Sequence, residues 1–133
     1  MTAYLTTRAG FIITAKDVSA LAKFYVEGFD FELTTMFEDP PYAILVKEGM
    51  RLSLTEDGTR GDDIPEFTFS LDTNRDARST CMVLEVDSCD AARAELESRG
   101  VTMRSETFRP PWGGARFFCE DPEHNLIEIE ELA

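Results

Sequence analysis

The chain has 133 residues, 43% of them hydrophobic, and sets 26 Asp and Glu against 13 Lys and Arg for a formal charge of −13. This length predicts one domain, 1–133, whose core needs neither disulfides nor a structural metal. The acidic balance excludes nucleic acid and anionic membrane surfaces as partners, since both would be repelled, and leaves room for a cationic ligand. Cys81, Cys89 and Cys119 are odd in number and lack C-x-x-C spacing, which fits a reducing compartment. Met1 to Arg8 lacks the basic start and apolar run of a secretory leader, and no stretch is apolar enough to span a bilayer. The expectation is a soluble cytoplasmic protein.

Phe11 to Ala15 reads as a strand, followed by Asp17 and a helix carrying Leu21, Phe24 and Tyr25. Gly28 is expected to stop that helix. Phe29 to Phe37, Tyr42 to Val46 and Met50 to Thr55 read as strands, separated by the turns Pro40-Pro41 and Glu48-Gly49. Cys81 to Val86 starts the pattern again. Asp87 or Ser88 can cap a helix bearing Ala91, Ala94 and Leu96, and Gly100 ends it. Val101 to Glu106, Ala115 to Glu120 and Asn125 to Glu131 complete the second half as strands, with Phe108 to Gly114 as a loop. Both halves are therefore β-α-β-β-β, 1–55 and 81–133. A connection, 56–80, lies between them, and within it Phe67 to Leu71 alternates like an additional strand.

Parity places Phe11, Ile13, Met82, Leu84, Ile127 and Ile129 against the helices, and Ile12, Thr14, Val83, Glu85, Leu126 and Glu128 on the opposite face. That second face mixes apolar groups with Thr and Glu, as a binding cleft does.

At this point the chain resembles the vicinal oxygen chelate superfamily: glyoxalases, bleomycin-resistance proteins and extradiol dioxygenases. The resemblance rests on the first strand running into Lys16-Asp17-Val18 and Phe24-Tyr25. It rests also on the ending Phe117 to Ile129, where Asp121-Pro122-Glu123-His124-Asn125 is similar to the family's closing turn, with His124 at a place usually held by glycine. It implies an α+β fold in which two βαβββ units form a curved mixed sheet around a cleft, within one chain or swapped between chains of a homodimer.

The family's enzymes hold a divalent metal with His, Glu or Gln from strands of each unit. By that resemblance the ligand positions fall on Gly10, Ser53, Cys81 and Glu128, of which only Glu128 keeps the expected chemistry. Moving the register by one residue brings in Ala9 or Phe11, and Thr80 or Met82, which are no better donors. One carboxylate beside one thiol does not hold such an ion firmly, so neither metal nor other cofactor is expected.

The remaining candidates are weighed against plainer roles. His124, the only histidine, is expected as a turn residue. Cys81 is expected to be buried and inert, because a nearby carboxylate raises a thiol pKa. Glu128 either acts as a general base or holds a cation such as Arg116, Arg51 or part of a ligand. Phe108 to Gly114 resembles the P-W-G loop of family members that bind bulky organic molecules without a metal. Its Trp112 either projects over the cleft, plugs it, or meets a second subunit. Phe37, Tyr42, Phe67 and Phe69 add aromatic surface for a planar or cationic group. The expected ligand-binding set is thus Trp112, Phe37, Tyr42, Phe67, Phe69, Arg116, Cys81, Ser53, Glu85 and Glu128. The expected function is metal-independent sequestration of a small organic ligand. The alternatives are a metal-dependent glyoxalase-like lyase, isomerase or dioxygenase using Glu128 with further ligands, and a catalytically silent assembly protein.

Overall fold

The structure, a computed structural model, describes residues 4–71, 74 and 76–133. Residues 1–3 of the amino terminus and 72, 73 and 75 of the expected connection lie outside the described residues. The chain divides into two units, 1–71 and 72–133, each with a four-stranded sheet and one helix.

In the first unit, β1 (Gly10–Ala15) leads into α1 (Val18–Phe29), followed by β2 (Glu32–Glu38), β3 (Pro41–Lys47) and β4 (Met50–Glu56). The order across the sheet is β1-β4-β3-β2, with β1 parallel to β4 and the remaining pairs antiparallel. The helix begins where the Asp17 carboxylate accepts a 3.0 Å hydrogen bond from the Ala20 N–H, satisfying a donor that the first turn cannot pair. It does not stop at Gly28. Phe29 is still helical and its ring packs near Phe24 and Tyr25, so burial of that aromatic cluster carries the helix one residue further. Asp30 takes the left-handed capping conformation (φ 60°), and the Phe31 N–H returns to the Tyr25 carbonyl. Glu48 and Gly49, both at positive φ, make the β3–β4 turn as expected.

Leu21, Tyr25, Leu45, Leu52 and Leu54 form the centre of this unit's core. Phe11 does not join them. The helix packs over β3, β4 and β2, while β1 lies at the sheet edge, so Phe11 remains 61% exposed and Ile13 half-buried. The expected strand at Phe67 to Leu71 reduces to one bridge, Thr59 to Phe69. The Asp57 carboxylate takes the Leu71 N–H at 2.9 Å, and a side-chain acceptor thereby replaces the next rung of a ladder.

The second unit repeats the topology: β5 (Met82–Glu85), α2 (Cys89–Ser98), β6 (Thr102–Met103), β7 (Ala115–Glu120) and β8 (Leu126–Glu131), in the order β5-β8-β7-β6 with β5 parallel to β8. Ser88 caps α2 by accepting from the Ala91 N–H, and Gly100 at φ 83° follows its end. Phe117, Cys119, Ile127 and Ile129 are buried beneath the helix. The expected strand Val101 to Glu106 shortens to two residues. Ser105 diverts the chain, its hydroxyl accepting from the Phe118 N–H at 2.9 Å and its carbonyl from Arg93 at 2.9 Å. In the closing turn, the buried Asp121 carboxylate accepts from the Glu123 and Asn125 N–H groups and from the Asn125 amide, while His124 adopts φ 69°. Among the described residues no helix is long and apolar enough to cross a membrane.

Candidate functional site

Each unit presents one sheet face away from its helix. In the second unit the register pairs Phe118 with Glu128, Arg116 with Glu130, Val83 with Glu128 and Glu85 with Glu130. Partners in register share a face, so these six residues stand together, opposite the buried Ile127 and Ile129. The Arg116 guanidinium lies 5.4 Å from the Phe108 ring centroid and 5.9 Å from that of Phe118. Glu128 is half-buried and makes no ion pair with Arg116, which shares its unit. Arg116 turns to aromatic faces, and Arg51 is engaged in the first unit.

Cys81 precedes β5 and is exposed, which corrects the expectation that it is buried. The reason lies in the topology, because β5 is an edge strand and Cys81 shares the parity of Val83 and Glu85, on the face away from α2. Burial around its sulfur still raises the thiol pKa. The Glu128 backbone N–H opposes this and the Glu128 carboxylate adds to it. Cys89 and Cys119 are buried and free, and burial pushes the Cys119 pKa up to about 12.

The Pro110 to Gly114 loop folds against the end of the chain. Gly113 and Gly114 have φ of 104° and 78°, and a Cβ on Gly114 would lie 2.6 Å from the Glu131 carbonyl oxygen, so that position takes only glycine without rearrangement. Trp112, 79% exposed, lines a pocket of about 230 Å³ with Phe108, Pro110, Arg116, Glu130 and Leu132. The Glu131 carboxylate also reaches this region, where it accepts from the Cys89 N–H at 2.8 Å and caps α2.

In the first unit the corresponding face carries Ile12, Tyr42, Ile44, Arg51, Ser53 and Thr55. Arg51 Nε donates to the Ser53 hydroxyl at 2.8 Å and Nη2 to the Tyr42 hydroxyl at 3.3 Å. Phe37 lies beside Tyr42, with ring centroids 6.5 Å apart, and is exposed. Phe67 and Phe69 stand on the folded-back segment and form no ring pair among the described residues, so they are not brought to the Phe37–Tyr42 pair. Sequence reasoning missed Arg8 and Arg51 as pocket residues, and Phe108 and Phe118 as the rings beneath Arg116. The alternation Arg51-Leu52-Ser53 was the available signal for Arg51, because it sets the arginine on the face of Ser53.

The family-type metal positions do not fit an ion within either unit. Gly10 has no donor, and a Cβ placed there would collide with the Arg51 carbonyl oxygen. The Ser53 hydroxyl is committed to a guanidinium, whose charge repels a metal cation. In the second unit a thiol with a raised pKa stands beside one carboxylate. Among the described residues no three His, Cys, Asp or Glu side chains are placed to hold a metal.

Paired mixed-sheet βαβββ units with this closing turn define a class of fold, and residues 7–129 match the model of the Glyoxalase/Bleomycin resistance protein/Dioxygenase superfamily: the chain belongs to that family. Solved structures with the same fold include a glyoxalase/bleomycin resistance protein/dioxygenase from Nocardioides (19% identity, 99% of this chain and 86% of that one, TM-score 0.76). Lactoylglutathione lyase from Agrobacterium tumefaciens is similar at 17% identity, over 92% of this chain and 91% of that one, with a TM-score of 0.72. TnmS3, an antibiotic binding protein from Streptomyces sp. CB03234, is similar at 21% identity over the full length of both chains, with a TM-score of 0.70. At these identities the likeness is one of fold. No curated protein matches the sequence.

Proposed function

We propose that the protein binds a small, planar organic molecule without a metal and protects by sequestration, lowering the free ligand by mass action. The observation that carries this reading is the pocket of the second unit, where Trp112 and Phe108 supply aromatic surface beside Arg116 and Glu130. Glu130 makes no ion pair among the described residues, and with Glu85 and Glu128 it favours a ligand bearing positive charge. TnmS3, of the same fold, is named an antibiotic binding protein, which supports the same class of ligand. The proposal extends to a cytoplasmic homodimer. Light scattering on the purified protein tests it, with the mass of two chains expected.

Calorimetric titration of chelator-treated protein with bleomycin-like, mitomycin-like and other planar cationic compounds is the direct experiment. Saturable binding, unchanged by the chelator and with the ligand recovered intact, is expected. No saturable binding, or a turnover restored by a divalent metal, overturns the reading in favour of a lyase, isomerase or dioxygenase. In that event Glu128→Gln decides whether Glu128 is the base.

A further inference from the structure

The first unit holds a second pocket, of about 290 Å³, lined by Arg8, Ala9, Gly10, Phe11, Ile12, Arg51 and Ser53. Its lining contains two arginines and no carboxylate, in a chain with twice as many acidic as basic residues. Elsewhere Arg93, Arg99, Arg104 and Arg109 each meet an Asp or Glu within 4 Å. Arg51 meets none among the described residues. Its partners are two neutral hydroxyls, the buried Ser53 and the half-buried Tyr42, which grip Nε and Nη2 and leave Nη1 without a hydrogen bond. A half-buried guanidinium held in one orientation, with donors unspent, is prepared for a planar oxyanion, because its fork matches carboxylate geometry and costs little further ordering on binding. Gly10 completes the arrangement: its lack of a side chain lets β1 approach the Arg51 backbone at the pocket's edge.

We infer that this pocket is a binding site for the carboxylate of an organic acid, with Arg51 as the anion-binding residue, Ser53 and Tyr42 as positioning residues, Arg8 as a second positive charge, and Phe11 and Ile12 as apolar wall. The inference goes beyond the proposed function, since it concerns a different pocket and a group of opposite charge.

The test is titration with 2-naphthoate and its neutral isostere 2-naphthamide, followed by calorimetry and by the Arg51 Nε–H resonance. Naphthoate should bind saturably, at least roughly tenfold more tightly than the amide, as a charge-assisted hydrogen bond implies, and should shift that resonance. Arg51→Gln should abolish the preference, lowering naphthoate affinity far more than amide affinity. Tyr42→Phe and Ser53→Ala, which keep the charge, should each weaken naphthoate alone, and they serve if Arg51→Gln does not fold. Equal affinity for both probes, or a preference that survives Arg51→Gln, overturns the inference. So does a naphthoate response confined to Trp112 fluorescence, an outcome that leaves the proposed function standing.

Discussion

Gly10 and Arg51 are register partners across the parallel β1–β4 pair, so close that any side chain at position 10 would meet the Arg51 carbonyl oxygen. The position that the family resemblance gives for a first-strand ligand is therefore closed by backbone. Gly10→Ala should lower stability by roughly 1–3 kcal/mol, as overpacking does, measured by urea unfolding. Gly10→His should not create affinity for zinc or nickel in a metal titration.

Trp112 is the sole tryptophan and is largely exposed, so its emission should be that of a solvated indole. A planar cationic ligand in the second unit's pocket should quench or blue-shift it saturably. Trp112→Ala should weaken calorimetric binding roughly tenfold or more, the scale for loss of an aromatic anchor. A change under twofold would move the binding site elsewhere.

The thiols should react in a fixed order. At neutral pH a thiol reagent should modify Cys81 slowly, because it is exposed but its pKa is raised, and should reach Cys89 and Cys119 only on unfolding. Cys119 also gives a stability signature. Its folded pKa of about 12 lies above the ordinary 9.0, so the neutral thiol favours the folded state. That contribution is complete below about pH 9 and is lost as pH rises from about 9 to about 12. Cys119→Ala should remove this alkaline component from the stability–pH curve.

Asp121 holds the closing turn through its bonds to Glu123 and Asn125, and it is buried. Asp121→Ala should cost roughly 1–3 kcal/mol, the scale for N–H groups that lose their acceptor away from bulk water, read as a lowered urea midpoint. Asp121→Asn, which keeps an acceptor, should cost less.

The duplication was legible because it is written in local periodicity. Asp17 and Ser88 as caps, Gly100 past a helix end, the Glu48-Gly49 turn and the strained His124 are all decided within a few residues of chain. The absence of a donor at Gly10 was likewise a fact of composition at one position. What the tertiary structure decided is non-local. Phe11 has the parity of a core residue, yet it is exposed because α1 covers the inner strands, and Cys81 is exposed because β5 is the edge strand of its sheet. Ser105 cuts β6 short through a bond to Phe118, thirteen positions away, and Gly28 is overruled by the packing of Phe29. Arg51 read as one more charge in an acidic chain. Its strand pairing set it near Tyr42 and Ser53, with no ion pair to a carboxylate among the described residues, because register across a sheet, and not sequence spacing, determines which side chains meet.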